Sequence, residues 1–178
     1  MNFRSYIISS LILGVLFISQ TATAVDGYKD LKFGMSAKQI VASNVCTLQK
    51  YESGQIGVEY YGCDDFMFGG EAVEAGAFFI DDKFLRFAIA PSVDVALSLA
   101  NGLSEKYGSP SSSSTQKEFQ AVDALPNREA FLAYDKNTVY LKLMSDENYT
   151  QSAILLYTSP SYDILLLKKQ DKSISNDL

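Results

Sequence analysis

Residues 77–89 constrain this chain more than any other stretch. Ala77-Phe78-Phe79-Ile80 and Lys83-Phe84-Leu85-Arg86-Phe87-Ala88-Ile89 are two β-favouring runs joined only by Asp81-Asp82. A link that short, built from residues that tolerate turn geometry, joins antiparallel neighbours and nothing else. Phe84, Arg86 and Ala88 alternate with Leu85, Phe87 and Ile89, so the second run presents two different faces. Asp81 and Asp82 are therefore turn residues before they are anything catalytic. Ala130–Tyr134, Asp135-Lys136-Asn137 and Thr138–Met144 repeat the pattern as a second hairpin. A chain committed to two such hairpins must build an antiparallel sheet and cover at least one side of it.

The cover comes from helical segments. Pro91 opens a helix expected over residues 92–107, with Ser92 as cap and Asp94 at the positive end of the dipole. Ala96, Leu99, Ala100, Leu103 and Tyr107 recur at helical spacing and form one apolar stripe, and Gly108 and Pro110 stop it. A shorter helix is expected after Phe33-Gly34-Met35-Ser36, where Ser36 and Gln39 match a capping box and Ile40 and Val41 follow. Gly34 suits a left-handed backbone angle just before that cap.

The remaining stretches read as strands and links. Residues 51–62 alternate Ile56, Val58 and Tyr60 with Glu59 and Tyr61 and are expected as a strand, and residues 63–68 run into a Gly69-Gly70 turn. Ser111–Thr115 is a polar linker, Glu118–Leu125 an expected strand, Pro126-Asn127 a turn, and Asn148-Tyr149-Thr150 a loop. Ser152–Tyr157 and Asp163–Lys168 are expected to pair across a Ser- and Pro-containing loop. The tail, residues 171–178, is polar and expected to fray. The expected class is α+β: a single antiparallel sheet with the short N-terminal helix and the longer helix packed on one face. Two half-domains meeting at the serine linker are the alternative.

Met1–Ala24 has the marks of a secretory signal: Arg4, an apolar run from Tyr6 to Ile18, and a small-residue Ala22-Thr23-Ala24 end. The rest, residues 25–170 before the tail, is expected to be one domain in the periplasm or outside the cell, with no transmembrane segment. Net charge is −6 for the whole chain and −7 once Arg4 leaves with the signal. That balance argues against nucleic acid, which needs clustered Lys and Arg, and is compatible with a cationic partner. Two cysteines in an exported chain should pair, so Cys46–Cys63 is expected as a structural bridge. The chain contains no His and no Cys-x-x-Cys, so zinc and thiol-redox chemistry lack their usual ligands. No metal or cofactor is expected.

The lead-in Phe33-Gly34-Met35-Ser36, then Gln39-Ile40-Val41, then a cysteine pair around a Tyr-rich segment, resembles the repeat unit of the β-lactamase inhibitory proteins. It is also similar to small bacterial envelope domains of the small-protein-A type. The resemblance covers about residues 31–90, and it implies an α+β fold that binds proteins. Two departures matter. No cysteine precedes Cys46, so no lipid anchor is expected, and no second Gly-Met-Ser is present.

The leading functional expectation is a non-enzymatic protein-binding module of the envelope, an inhibitor of a hydrolase or an assembly accessory. Its expected contact residues are Tyr51, Tyr60, Tyr61, Asp64, Asp65, Phe66 and Phe68, aromatics for buried contact and acids for steering a cationic partner. A small-molecule or lipid carrier, with the long helix closing an aromatic cavity, is the alternative. A carboxylate-dependent hydrolase is the third, but adjacent acids such as Asp64-Asp65 point to opposite faces of a strand, and no catalytic motif is present. No catalytic residue is assigned.

Overall fold

The computed structural model describes residues 24–177, so the expected signal lies outside the described residues except for Ala24. The elements in chain order are β1 (Gly27–Tyr28), β2 (Leu31–Lys32), α1 (Ala37–Ala42), β3 (Gln49–Tyr51), β4 (Glu59–Phe68), β5 (Glu71–Ile80) and β6 (Lys83–Ala90). They continue with α2 (Ala96–Tyr107), β7 (Ser112–Ser113), α3 (Gln116–Ala124), β8 (Arg128–Tyr134), β9 (Val139–Ser145), β10 (Gln151–Thr158) and α4 (Tyr162–Asp177). Strands β3 to β10 form one antiparallel eight-stranded sheet in the order β3-β4-β5-β6-β10-β9-β8-β7, and β1 and β2 make a separate two-stranded ribbon. The α+β class is as expected. The two-half alternative is not what forms, because β6 pairs directly with β10 and joins both halves in one sheet.

Turn chemistry sets the hairpins. Asp81 and Asp82 both adopt positive φ, as a two-residue hairpin loop requires, and Gly69-Gly70 does the same between β4 and β5. The Gly-Met-Ser motif is stitched to the first of these turns. Gly34 N–H donates to Phe84 C=O at 2.8 Å, Phe84 N–H donates to Met35 C=O at 2.8 Å, and Ala37 N–H donates to the Asp82 carboxylate at 2.9 Å. Ser36 and Gln39 complete the capping box, and Ile40 is fully buried. The motif thus works as a dock that fixes α1 against the β5–β6 hairpin.

Register shows which residues share a face. Lys50, Tyr61, Ala77, Phe87, Tyr157, Val139 and Tyr134 are successive cross-strand partners from β3 to β8. From Tyr61 onward this row runs under α1 and α2, and with Phe79, Phe84, Ile89, Leu141 and Leu155 it builds the main core. Stacked and edge-on rings of Tyr28, Phe66, Phe87 and Tyr157, 4.9–6.0 Å apart, fill its centre. The α2 stripe packs as expected, with Ala96 and Leu103 buried and Leu99, Ala100 and Tyr107 against the core. A 3₁₀ turn, Val93–Val95, capped by Ser92, precedes it.

Five expectations are corrected. Glu118–Leu125 is not a strand: Thr115 and Glu118 form a capping box, and Gln116–Ala124 is helical with Val122 buried. Asp163–Lys168 is not a strand either, since it lies inside α4. A run of Ile164-Leu165-Leu166-Leu167 suits either state, and packing decided it: Leu165 and Leu166 meet Ile80, Leu85 and Tyr162, while Ile164 and Leu167 face water. Residues 171–177 continue α4 and are not a frayed tail. Within residues 51–62 the strand breaks, because Gly54 and Gly57 at positive φ make residues 52–58 a loop between β3 and β4. The helices are also not confined to one face. α4 lies on the side opposite α1 and α2, held by the Arg86 guanidinium 3.7 Å over the Tyr162 ring and 3.0 Å from the Asp163 carboxylate.

Candidate functional site

The far side of the sheet carries the only row of large aromatics that the helices leave in reach of water among the described residues of β3–β5. Tyr51, Tyr60, Phe78 and Arg86 are cross-strand partners. The Tyr51 and Tyr60 rings are 6.1 Å apart, and those of Tyr60 and Phe78 are 4.8 Å apart. Next to this row runs a row of small residues, Gly62, Gly76 and Ala88, again in register. The two rows belong together. A Cβ at Gly62 would come within 2.7 Å of the Tyr60 hydroxyl, and one at Gly76 within 2.3 Å of the Tyr60 ring. The Tyr60 ring therefore lies flat on bare backbone, which any larger side chain at either glycine would deny it.

That arrangement leaves a shallow hollow of about 400 Å³ lined by Tyr51, Tyr60, Gly62, Cys63, Asp64 and Glu74. Tyr51 is 52 % exposed, and Asp64 and Glu74 are exposed at the rim. Partial burial, then the Glu74 carboxylate and Tyr51, push the Tyr60 phenol above its ordinary value, so the hydroxyl stays neutral and able to donate. Two aromatic faces beside two carboxylates suit a guanidinium or ammonium group, which gains from the ring quadrupole and from charge. The two carboxylates stand in water, unlike the buried carboxylic acids that serve as general acids.

The residues expected to form one contact surface are divided between the two faces. Tyr51, Tyr60 and Asp64 come together in the hollow, joined by Glu74, which the sequence reading missed. Tyr61 is on the covered side, edge-on to Phe79 at 5.4 Å with Lys50 over its ring. Phe66 is 4 % exposed and belongs to the core, and Phe68 packs against that core, so neither presents a contact surface on the hollow's side. Asp65 accepts bonds from the Thr47 N–H at 2.8 Å and the Thr47 hydroxyl at 2.5 Å, which lower its pKa and tie the Cys46 loop to β4. Tyr61 is on the covered side by ordinary alternation with Tyr60, and for Phe66 and Phe68 the cause is a bulge between Cys63 and Phe66. One extra residue inverts the alternation, so Tyr60 and Phe66, both even-numbered, face opposite ways.

Cys46 and Cys63 are bridged, with Cα atoms 6.2 Å apart. Their sulfurs lie near an Asp65 oxygen in a spacing that could suit a metal, but sulfur held in a disulfide is no thiolate ligand. The bridge is compatible with an exported protein, and no helix among the described residues is long and apolar enough to cross a membrane.

A family model described as "Uncharacterised protein" matches residues 28–177. The chain belongs to that family. An "Uncharacterized protein" of Haemophilus influenzae is 33 % identical over 171 residues, covering 94 % of this chain and 95 % of its own length. "Uncharacterized protein PM0314" of Pasteurella multocida is 29 % identical over 168 residues, covering 83 % and 84 %. No solved structure matches the chain. The family match spans both halves of the sheet and all four helices, so the hollow and the α4 side belong to one family unit.

Proposed function

We propose that this protein is an exported, non-enzymatic binding module that engages a partner protein through the far side of its sheet, with the Tyr51–Tyr60–Asp64–Glu74 hollow receiving a basic side chain. The observation that carries the reading is the Tyr60 ring laid on Gly62 and Gly76 beside two exposed carboxylates. Rigid aromatics next to matching charge are what protein interfaces use as anchors. Export to the periplasm or beyond the cell is supported by the signal-like Met1–Ala24 and by the disulfide. The resemblance of residues 31–90 to β-lactamase inhibitory proteins and small envelope assembly domains supports protein binding, with inhibition of a basic hydrolase as one form of it. The acidic balance of the chain fits a cationic partner and disfavours nucleic acid.

The test uses the purified, disulfide-bridged protein as bait in envelope and secreted-protein extracts, at low and moderate salt. A parallel bait carries Tyr51→Ala, Tyr60→Ala, Asp64→Asn and Glu74→Gln. One stoichiometric partner, weakened by salt and absent from the folded variant, is the expected outcome. A partner held equally by both baits overturns the site, and no partner at either salt overturns the module.

A further inference from the structure

A second depression lies on the opposite side of the sheet, and its chemistry is reversed. It is a groove of about 500 Å³ between α2 and the β1–β2 ribbon, within the size range of small-molecule sites. Phe68, Leu99, Leu103 and Leu155 supply its apolar lining, and Tyr28, Tyr107 and Tyr157 add phenol rings. Lys29, Lys32 and Lys106 stand around it. Asp26 is the one acid in the lining, and Lys32 already engages it at 2.9 Å. Lys29 and Lys106 lie over the rings of Tyr28 and Tyr107, at 5.2 and 5.0 Å, which aims their charge along the groove walls. Three cations around one apolar trough run against a chain whose net charge is −6.

We infer that this groove binds a single-chain anionic amphiphile, its carboxylate or phosphate head between Lys29 and Lys106 and its hydrocarbon chain along Leu99, Leu103 and Leu155. The apolar lining explains the tail and the cation rim explains the head, and neither alone would select the combination. At the floor, burial first and then the neighbouring Tyr107 push the Tyr157 phenol well above its ordinary value. The floor therefore stays uncharged and does not repel an anion. The helix wall is open at Gly102, where an added Cβ would meet nothing within 4 Å. This inference stands independently of the protein-binding reading, since the hollow and the groove share no residue.

Calorimetric titration of the purified, disulfide-bridged protein compares oleate, 1-oleoyl-lysophosphatidylglycerol, dodecyltrimethylammonium and inorganic phosphate, each amphiphile below its micelle concentration. Saturable one-to-one binding of either anionic amphiphile is expected, at least tenfold tighter than the cationic one, and the tighter of the two identifies the head group preferred. Lys29→Glu with Lys106→Glu should weaken it at least tenfold. Gly102→Met should abolish it while leaving the melting temperature unchanged or raised, because the new side chain enters open space and replaces a poor helix former. Equal binding of cationic and anionic amphiphiles, binding matched by phosphate alone, indifference to both variants, or no binding by either anionic probe would each overturn the assignment.

Discussion

The two faces of this sheet are one residue apart in register and have opposite fates. On the covered side, Ala77, Phe87 and Tyr157 lie under helices and touch almost no water, with Tyr61 half-buried against them. On the far side, Tyr60, Phe78 and Arg86 sit beside them in the same strands, and only α4 shelters part of the row. Both rows are aromatic, so hydrophobicity alone does not distinguish a packing residue from a contact residue here. The neighbours do. Large side chains of α1, α2 and the ribbon close over the first row, while glycines under the second let a ring lie down and stay accessible.

The contrast should be largest in stability. Phe87→Ala empties the centre of the covered core and should cost about 3–5 kcal/mol, whereas Tyr60→Ala should cost about 1 kcal/mol, both read by urea unfolding. Comparable losses would erase the distinction between the faces. Next in size is the bridge that pins the α1 loop to β4. Cys46→Ala with Cys63→Ala should lower stability by about 3 kcal/mol, from the entropy of a loop of 17-residue separation, and the far face should keep its near-ultraviolet signature.

A smaller effect sharpens the comparison on the far side alone. Gly76→Ala forces a Cβ into the Tyr60 ring, so the ring must lift. The cost to folding should be about 1 kcal/mol, because a side-chain tip rather than backbone gives way, but partner capture should fall about tenfold. Capture unchanged in that variant would show that the flat ring is not the contact. The smallest effect is in acid. Thr47 holds the Asp65 pKa below its ordinary 3.8, so the stabilisation is fully present above that value and is lost as pH falls through the lower folded value. Asp65→Asn should lower the melting temperature modestly at neutral pH and converge with the parent in acid, which flattens the acid limb between about pH 2 and 5. An unaltered limb would remove Asp65 from the tie between β4 and the Cys46 loop.

Local chemistry was enough for much of this molecule. The Asp81-Asp82 and Gly69-Gly70 turns, the Ser36–Gln39 box and the α2 stripe are set by residues close in sequence, and two cysteines admit only one pairing. The Thr115–Glu118 box was equally legible and is the signal that would have found α3. What the tertiary structure alone decided is sidedness. A single bulge after Cys63 turns Phe66 and Phe68 into the core while Tyr60 and Asp64 stay outside, and no count by twos along β4 detects an inserted residue. The same holds for α4, whose apolar run fits strand or helix until Ile80, Leu85 and Arg86 offer it a surface. Turns and caps are fixed within a few bonds, but the face a side chain takes depends on which distant strand comes to lie beside it.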